Sequence, residues 1–331
     1  MNIDNVRELK ASVLGNITKA IHSASVVRSL GVQTQAMSPS KGALRGIAVG
    51  ISRVGKEHRL ALRVQRRLLE DGALLEKIER RAKGEVDVRY VGRIQKLETP
   101  AALQKRRRGL VIGCSIGHFK ITAGTLGCFV TEQATGAKLI LSNNHVLANE
   151  NDAKSGDAIL QPGKIDGGKK TTDAIGTLQA FEPLKKSGVN IVDCAIASIK
   201  PKIQFQPNKL GRFGVLTGVS PVPVVDKLKV QKVGRTTGET KGRVTAFELD
   251  NVVVGYDLGN LRFDDQIEIE GAGPRPFSAG GDSGSLIVDE DLAAVGLLFA
   301  GGDQGGSNGM GLTYANPIQR VLDTLKVDLL F

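Results

Sequence analysis

Residues 2–30 place Val6, Leu9, Val13, Ile17 and Ile21 at steps of three and four, with polar and charged residues between them. This amphipathic stripe predicts a helix that packs on the body of the protein or on a partner. Residues 31–42 (GVQTQAMSPSKG) are polar and carry Gly and Pro, which predicts a linker. Residues 44–51 (LRGIAVGI) and 60–64 (LALRV) then predict two strands. Residues 73–82 (ALLEKIERRA) predict a helix and residues 86–91 (VDVRYV) a third strand. Together they read as a small α/β unit, left through the charged connector at 95–109.

From Leu110 onward the pattern changes. Short apolar runs such as TLGCFVT, KLILS, VDCAIASI, KLKVQKVG, VVVGYDL, SLIVD and AAVGLLFA are separated by Gly, Asn and Asp turns. Many short strands at fairly regular spacing predict a sandwich or barrels. The tail ANPIQRVLDTLKVDLLF closes the chain. Asn316 stands where an N-cap belongs and Pro317 in a first turn, while Ile318, Val321, Leu322 and Leu325 share one face. A terminal helix packed on a barrel follows. The predicted division is 1–40 for helix and linker, 41–108 for a small basic α/β domain, and 109–331 for the β-rich domain.

At 331 residues the chain exceeds one ordinary domain, and 41 glycines with no tryptophan fit a turn-rich β fold. Three cysteines, Cys114, Cys128 and Cys194, are too few and odd in number for a secreted disulfide framework. The first twenty residues carry charges throughout, without the apolar core of a signal peptide, and no run of about 18 apolar residues exists for a membrane span. These features predict a cytoplasmic protein with reduced thiols. The net charge is +11, but residues 1–110 hold 23 Lys and Arg against 10 Asp and Glu, +13, leaving −2 for the rest. Such asymmetry marks a surface for nucleic acid, membrane or acidic protein, or simply a solvated basic face. Against nucleic acid, Tyr90 is the one aromatic at a strand position there, and no nucleic-acid-binding motif is present. Neither metal-ligand spacing nor a phosphate-binding loop occurs, so no metal and no cofactor are expected.

Candidate chemistry begins with SAGGDSGSLIV at 278–288, where Ser283 sits on a bare, glycine-rich backbone. A serine hydroxyl needs a base to take its proton and a third group to hold that base. Of four histidines, His22 lies in the leading helix, His58 in the basic unit, and His118 in SIGHF, where a backbone-bonded role is expected. His145 in LILSNNHVLAN follows a strand directly, at the head of a polar turn. Asp193 in VNIVDCAIASI is flanked by strand-forming apolar residues, a costly place for a carboxylate without a partner. Taken singly, His145 also reads as a structural histidine, and Asp193 as an acid bonded to a loop backbone.

The segments SNNHVLA, VDCAIA and GGDSGSLIV, in this order and with gaps of 48 and 90 residues between His145, Asp193 and Ser283, resemble the three signature segments of the chymotrypsin-like (trypsin family) serine proteases. KVGRTTGETKGRV at 232–244 resembles the second-barrel hairpin of bacterial members. AVGLLFAGG at 294–302 resembles the strand lining their substrate cleft. The resemblance covers roughly 110–331. It implies an all-β double β-barrel protease domain with a C-terminal helix and a barrel boundary near 205–222, preceded by the N-terminal helix and small α/β domain.

It further implies a serine endopeptidase in which Ser283 attacks, His145 is base and then acid, and Asp193 orients the imidazole. The amides of Gly281 and Ser283 would form the oxyanion hole, and Asp282 would hold the turn. Phe277, Phe299 and Gly301 would line the substrate pocket; without an acid there, the expected preference is an apolar or small residue before the scissile bond. Ser285 departs from the family's usual glycine. Val146 and Leu147 replace a cysteine common in secreted members, leaving Cys128 without its usual partner. The run KRRRGLVIG at 105–113 resembles an activation site, or else is a solvated basic connector. The implied substrate is a protein or peptide, with the N-terminal domain recruiting a regulatory protein partner or restraining the site. In some similar bacterial proteases the target is a dedicated antiphage effector. A non-catalytic protein-binding scaffold of the same fold is the alternative, which the complete set of three residues disfavours.

Overall fold

The computed structural model describes residues 1–29, 46–55, 57–65, 73–91 and 102–331; the expected linker at 31–42 and the start of the connector lie outside them. Helix α1 (Ile3–Ser29) buries Val6, Val13 and Ile17 against the protein itself. Strands β1 (Ile47–Val54) and β2 (Glu57–Val64) form an antiparallel hairpin in unbroken register, from Ile47↔Val64 to Val54↔Glu57. Helix Ala73–Arg81 then crosses to β3 (Val86–Tyr90), which runs parallel to β2. Alternation along β1 sorts its two faces. Ile47 and Val49 pack with Val13, Ile17, Leu75 and Ile78 beneath the two helices, whereas Ala48 joins a different core on the other face.

Two β-assemblies follow. In the first, strands 115–118, 158–160, 174–181, 195–198, 138–142 and 128–132 form a curled half-barrel, whose outer strand takes on Val327–Leu329 from the C-terminus. The second is a closed barrel of six. Its strands run in the cycle Lys229–Gly234, Leu286–Asp289, Ala293–Gly302, Leu312–Pro317, Gln266–Gly271, Gly238–Asp250 and back to Lys229–Gly234. This is the chymotrypsin-like double-barrel architecture expected over 109–331. Helix Ile318–Leu325 follows, with Ile318, Val321 and Leu322 buried in the first assembly's core.

The strand Gly238–Asp250 has two successive partners along one edge. Residues 238–243 close the barrel against Lys229–Gly234, and beyond them Phe247 and Asp250 pair with Ile51 and Val49 of β1. The β1–β3 unit thereby continues the second barrel's sheet. Gly50 permits the approach, since a Cβ there would lie 2.5 Å from Leu249 Cδ1. Nothing in local periodicity reveals this pairing, because period two reports which face is buried and not which edge is shared.

A buried ion pair locks the junction. Arg63 on β2 donates from Nε to both oxygens of Glu268 (2.8 and 2.9 Å) and from Nη2 to Asp87 (3.1 Å), with Arg63 and Glu268 fully buried. Thr245 and Tyr314 hydroxyls also donate to Glu268 (2.8 and 3.3 Å). Burial opposes the guanidinium charge, yet Glu268 and Asp87 hold its pKa above the ordinary arginine value. Some of the other basic residues of the first 110 also pair with acids from beyond them, closer to the surface. Arg7 pairs with Glu248, Lys10 with Asp250, and Arg106 and Arg108 with Asp173. No described helix is long and apolar enough to cross a membrane.

Removing one member of a fully buried pair leaves a charge without compensation. Arg63→Met is expected to cost about 4 kcal/mol in urea unfolding, and adding Glu268→Gln to recover most of that loss.

Candidate active site

The strand Lys138–Ser142 ends at Asn143 and Asn144, and a single helical turn, Asn144–Leu147, carries His145. The imidazole Nδ1 lies 2.5 Å from Asp193 Oδ2, and the His145 backbone N–H donates to Asp193 Oδ1 at 3.3 Å. Asp193 is fully buried. Its main chain is fixed from both sides: Asn143 Nδ2 donates to its carbonyl (2.7 Å), and its own N–H donates to Asn316 Oδ1 (2.9 Å). The Tyr256 hydroxyl donates to Asp193 Oδ2 at 2.7 Å. Burial and the Asp193 charge push the Tyr256 phenol well above its ordinary pKa. The opposite ring nitrogen, His145 Nε2, is buried and has no hydrogen-bond partner among the described residues, the Ser283 hydroxyl included.

The Ser283 loop reaches the same seam from the second barrel. Thr125 N–H donates to the Ser283 carbonyl (2.8 Å), and Thr125 Oγ1 donates to the Gly281 carbonyl (2.8 Å). Gly124 lies between the two sides of the seam: a Cβ there would stand 2.4 Å from Val146 Cγ2, beside His145, and 3.1 Å from the Ser283 carbonyl. Gly127 is equally constrained, 2.2 Å from the Gly284 carbonyl by the same construction. The loop therefore docks backbone to backbone, and side chains at these positions would push it away. Within it Gly281 and Gly284 have φ of +85° and +93°, which favour glycine. The amides of Asp282, Gly284 and Ser285 find acceptors in Ala279, Leu298 and Asp282, while those of Gly281 and Ser283 have none among the described residues.

Asp282 anchors this loop. Its carboxylate accepts from Lys232 Nζ (3.0 Å), the N–H groups of Thr236, Thr237 and Ala279, and the Thr237 hydroxyl (2.6 Å). Burial lowers the Lys232 pKa, and the Asp282 charge works against that lowering. An internal cation thus faces Asp282. The basic run at 105–108 is tied to the first assembly. Arg106 and Arg108 each reach Asp173 at 2.7 Å, and Gly109–Val111 pairs with Gln204–Gln206.

Phe277 and Phe299 are almost fully buried in separate cores, Phe277 with Val244 and Ile269, and Phe299 against Phe263 at 4.7 Å between ring centroids. Gly301 is buried and pairs with Thr313. His118 contacts Asp157 through Nε2 (3.2 Å) and accepts the Lys120 N–H at Nδ1 (3.3 Å), and burial lowers its pKa. The three cysteines are free and buried, with burial pushing the Cys114 thiol to about 11. Among the described residues no group of His, Cys, Asp and Glu is arranged to hold a metal ion.

Three neighbours of the site escaped the sequence reading. Asn316, expected as a helix cap, instead ends a strand and holds Asp193, and Pro317 occupies the cap position. Its place after an apolar strand fits either role. Lys232 shares a strand face with Val230, and Tyr256 with Val252 and Val254, but local pattern does not name the partner of either polar tip.

No protein-family model matches the sequence, and neither does any curated protein. Solved structures similar to this chain include Thermobifida fusca protease A (16% identity, TM-score 0.47, 67% of this chain and 98% of that one). A glutamic acid-specific serine protease, described as using a histidine triad in substrate binding, aligns at 19% identity and TM-score 0.48 over 67% of this chain and all of its own. A Nocardiopsis protease aligns at 16% identity and TM-score 0.47 with the same coverage.

Gly284→Ala should destabilise the protein by about 3 kcal/mol, since its Cβ would lie 2.1 Å from Ser142 Oγ and 2.4 Å from the Thr125 carbonyl at a positive φ. Gly136→Ala, also at positive φ but in open space, should cost only about 1 kcal/mol. Urea unfolding of both variants checks the contrast.

Proposed function

We propose that this protein is a serine endopeptidase. Ser283 attacks the carbonyl of a peptide bond, and its proton passes to His145 Nε2. Asp193, bonded to Nδ1, fixes the tautomer and stabilises the imidazolium. The amides of Gly281 and Ser283 receive the developing oxyanion. His145 then protonates the leaving amine, and water hydrolyses the acyl-enzyme by the same route. The observation that carries this reading is a pair of complementary features at one seam. A buried imidazole tethered at Nδ1 keeps Nε2 unpaired, and the two unpaired amides of the Ser283 loop are the ones an oxyanion needs. Donors of this kind are each worth about a hundred- to a thousandfold in rate. A protein-binding scaffold would have no use for either feature.

For specificity, Phe277, Phe299 and Gly301 stand for an uncharged primary pocket, and the acid buried nearby, Glu268, is neutralised by Arg63. The substrate is a protein or peptide in the cytoplasm. The N-terminal unit bears a protein partner, with nucleic acid disfavoured by the scarcity of aromatic residues there.

A fluorophosphonate should label the full chain at Ser283, and Ser283→Ala should abolish labelling, as read by intact mass and peptide mapping. His145→Ala should reduce the labelling rate by at least about a thousandfold. In a peptide library, cleavage should follow apolar or small residues; strict cleavage after Arg or Lys would remove the pocket assignment.

A further inference from the structure

We propose that Tyr256 is a positioning residue for the Asp193–His145 pair, an inference that rests on the protease reading above. Asp193 Oδ2 accepts from two groups at once, His145 Nδ1 at 2.5 Å and the Tyr256 hydroxyl at 2.7 Å. The phenol ring also stands edge-on to the imidazole, with centroids 5.7 Å apart and planes at 73°. One side chain therefore sets the charge distribution on the carboxylate and bounds the rotation of the imidazole.

Tyr256 is held for this task by the hairpin that carries it. Strands Val252–Tyr256 and Gly259–Phe263 pair from Val252↔Phe263 to Tyr256↔Gly259, so Tyr256 is the last paired residue before the turn. The turn is pinned to the first assembly by Leu258 N–H donating to Glu150 Oε2 at 2.9 Å. At the hairpin's base, Asn190 N–H donates to the Arg262 carbonyl and Asp264 N–H to the Asn190 carbonyl, both at 3.0 Å. Asn190 lies three residues before Asp193, so the hairpin grips the segment that presents the carboxylate. From behind, Gln65 Nε2 donates to the Val253 carbonyl at 2.9 Å and Asn251 Nδ2 to the Ile47 carbonyl at 2.5 Å. Ala48 and Ala61 share a core with Val252, Val254, Leu261 and Phe263. The N-terminal strands thus support the hairpin, and through Tyr256 the hairpin supports the acid.

The chemistry gives a sign. A hydroxyl donor spreads the charge of a buried carboxylate and makes it a weaker base. Without that donor, Asp193 draws the Nδ1 proton more strongly and favours the imidazolium, which cannot accept the Ser283 proton. Removing the hydroxyl therefore moves the acid limb of the Ser283 pH profile upward and slows attack at pH values on that limb. A residue that merely filled space would alter stability and leave that limb in place.

The test is the pH dependence of fluorophosphonate labelling at Ser283 in the full chain. Tyr256→Phe should shift the acid limb to higher pH, lowering the labelling rate at a pH inside that limb by about tenfold, the loss expected of one hydrogen bond to a charged group. Site-specific incorporation of 3,5-difluorotyrosine at position 256 keeps the ring and strengthens the donor, so it should shift the limb to lower pH even if Tyr256→Phe folds poorly. Asn260→Ala, at an exposed position on the second strand of the same hairpin, should match the parent. If the parent is labelled but neither change at 256 moves the limb, the assignment of Tyr256 is overturned and the protease reading stands. If the parent is not labelled, the protease reading fails, and the low-field proton resonance of the His145–Asp193 hydrogen bond decides the rest. An unchanged resonance in Tyr256→Phe overturns the positioning role; a displaced one supports it.

Discussion

A carboxylate with no exposure to solvent stands at the seam of the two assemblies, and its solvation has to come from the protein. Removing such a group from water costs several kcal/mol, a loss offset only when hydrogen bonds replace the lost waters. For the Asp193 carboxylate those bonds arrive from a single helical turn and a hairpin of the second barrel. The residue's backbone N–H meets Asn316, from the last strand before the terminal helix. Meeting these demands brings separate segments of chain to one point. The histidine is oriented as one result of that convergence.

Two further buried ion pairs follow the same logic. Asp282 and Lys232 face each other inside the second barrel, and the turn carrying Ser283 is wrapped around that pair. Arg63 and Glu268 do the same where the N-terminal strands meet the barrel. Buried pairs of this kind add little net stability over apolar packing. Their value here is selection of geometry: each penalises an arrangement in which its two elements part. The acid–histidine pair, the serine turn and the N-terminal junction are each held in this way.

Local pattern made some of this legible and left the rest hidden. Strand alternation, the helical stripe of residues 2–30 and the order of the three signature segments were all readable, because each depends on neighbours within a few residues. The second-barrel turn was readable too, since its glycines sit next to the serine they serve. Hidden were contacts made across great chain separation: Tyr256 to Asp193 over 63 residues, Asn316 to Asp193 over 123, and Arg63 to Glu268 over 205. Strand parity puts Tyr256 with Val252 and Val254, and Lys232 with Val230, but only tertiary pairing shows which partner each polar tip meets. Asn316 was misread for a related reason, because a residue ending a strand can also precede a helix.

The shared edge of the strand Gly238–Asp250 carries a consequence for the protein's colloidal behaviour. Where β1 pairs with Phe247 and Asp250, the barrel alone would present unsatisfied backbone groups beside an aromatic ring. An open edge of that kind is a template for strands of other molecules. The N-terminal strands act as a permanent cover over it, so a chain trimmed back to its two barrels should self-associate rather than remain monodisperse.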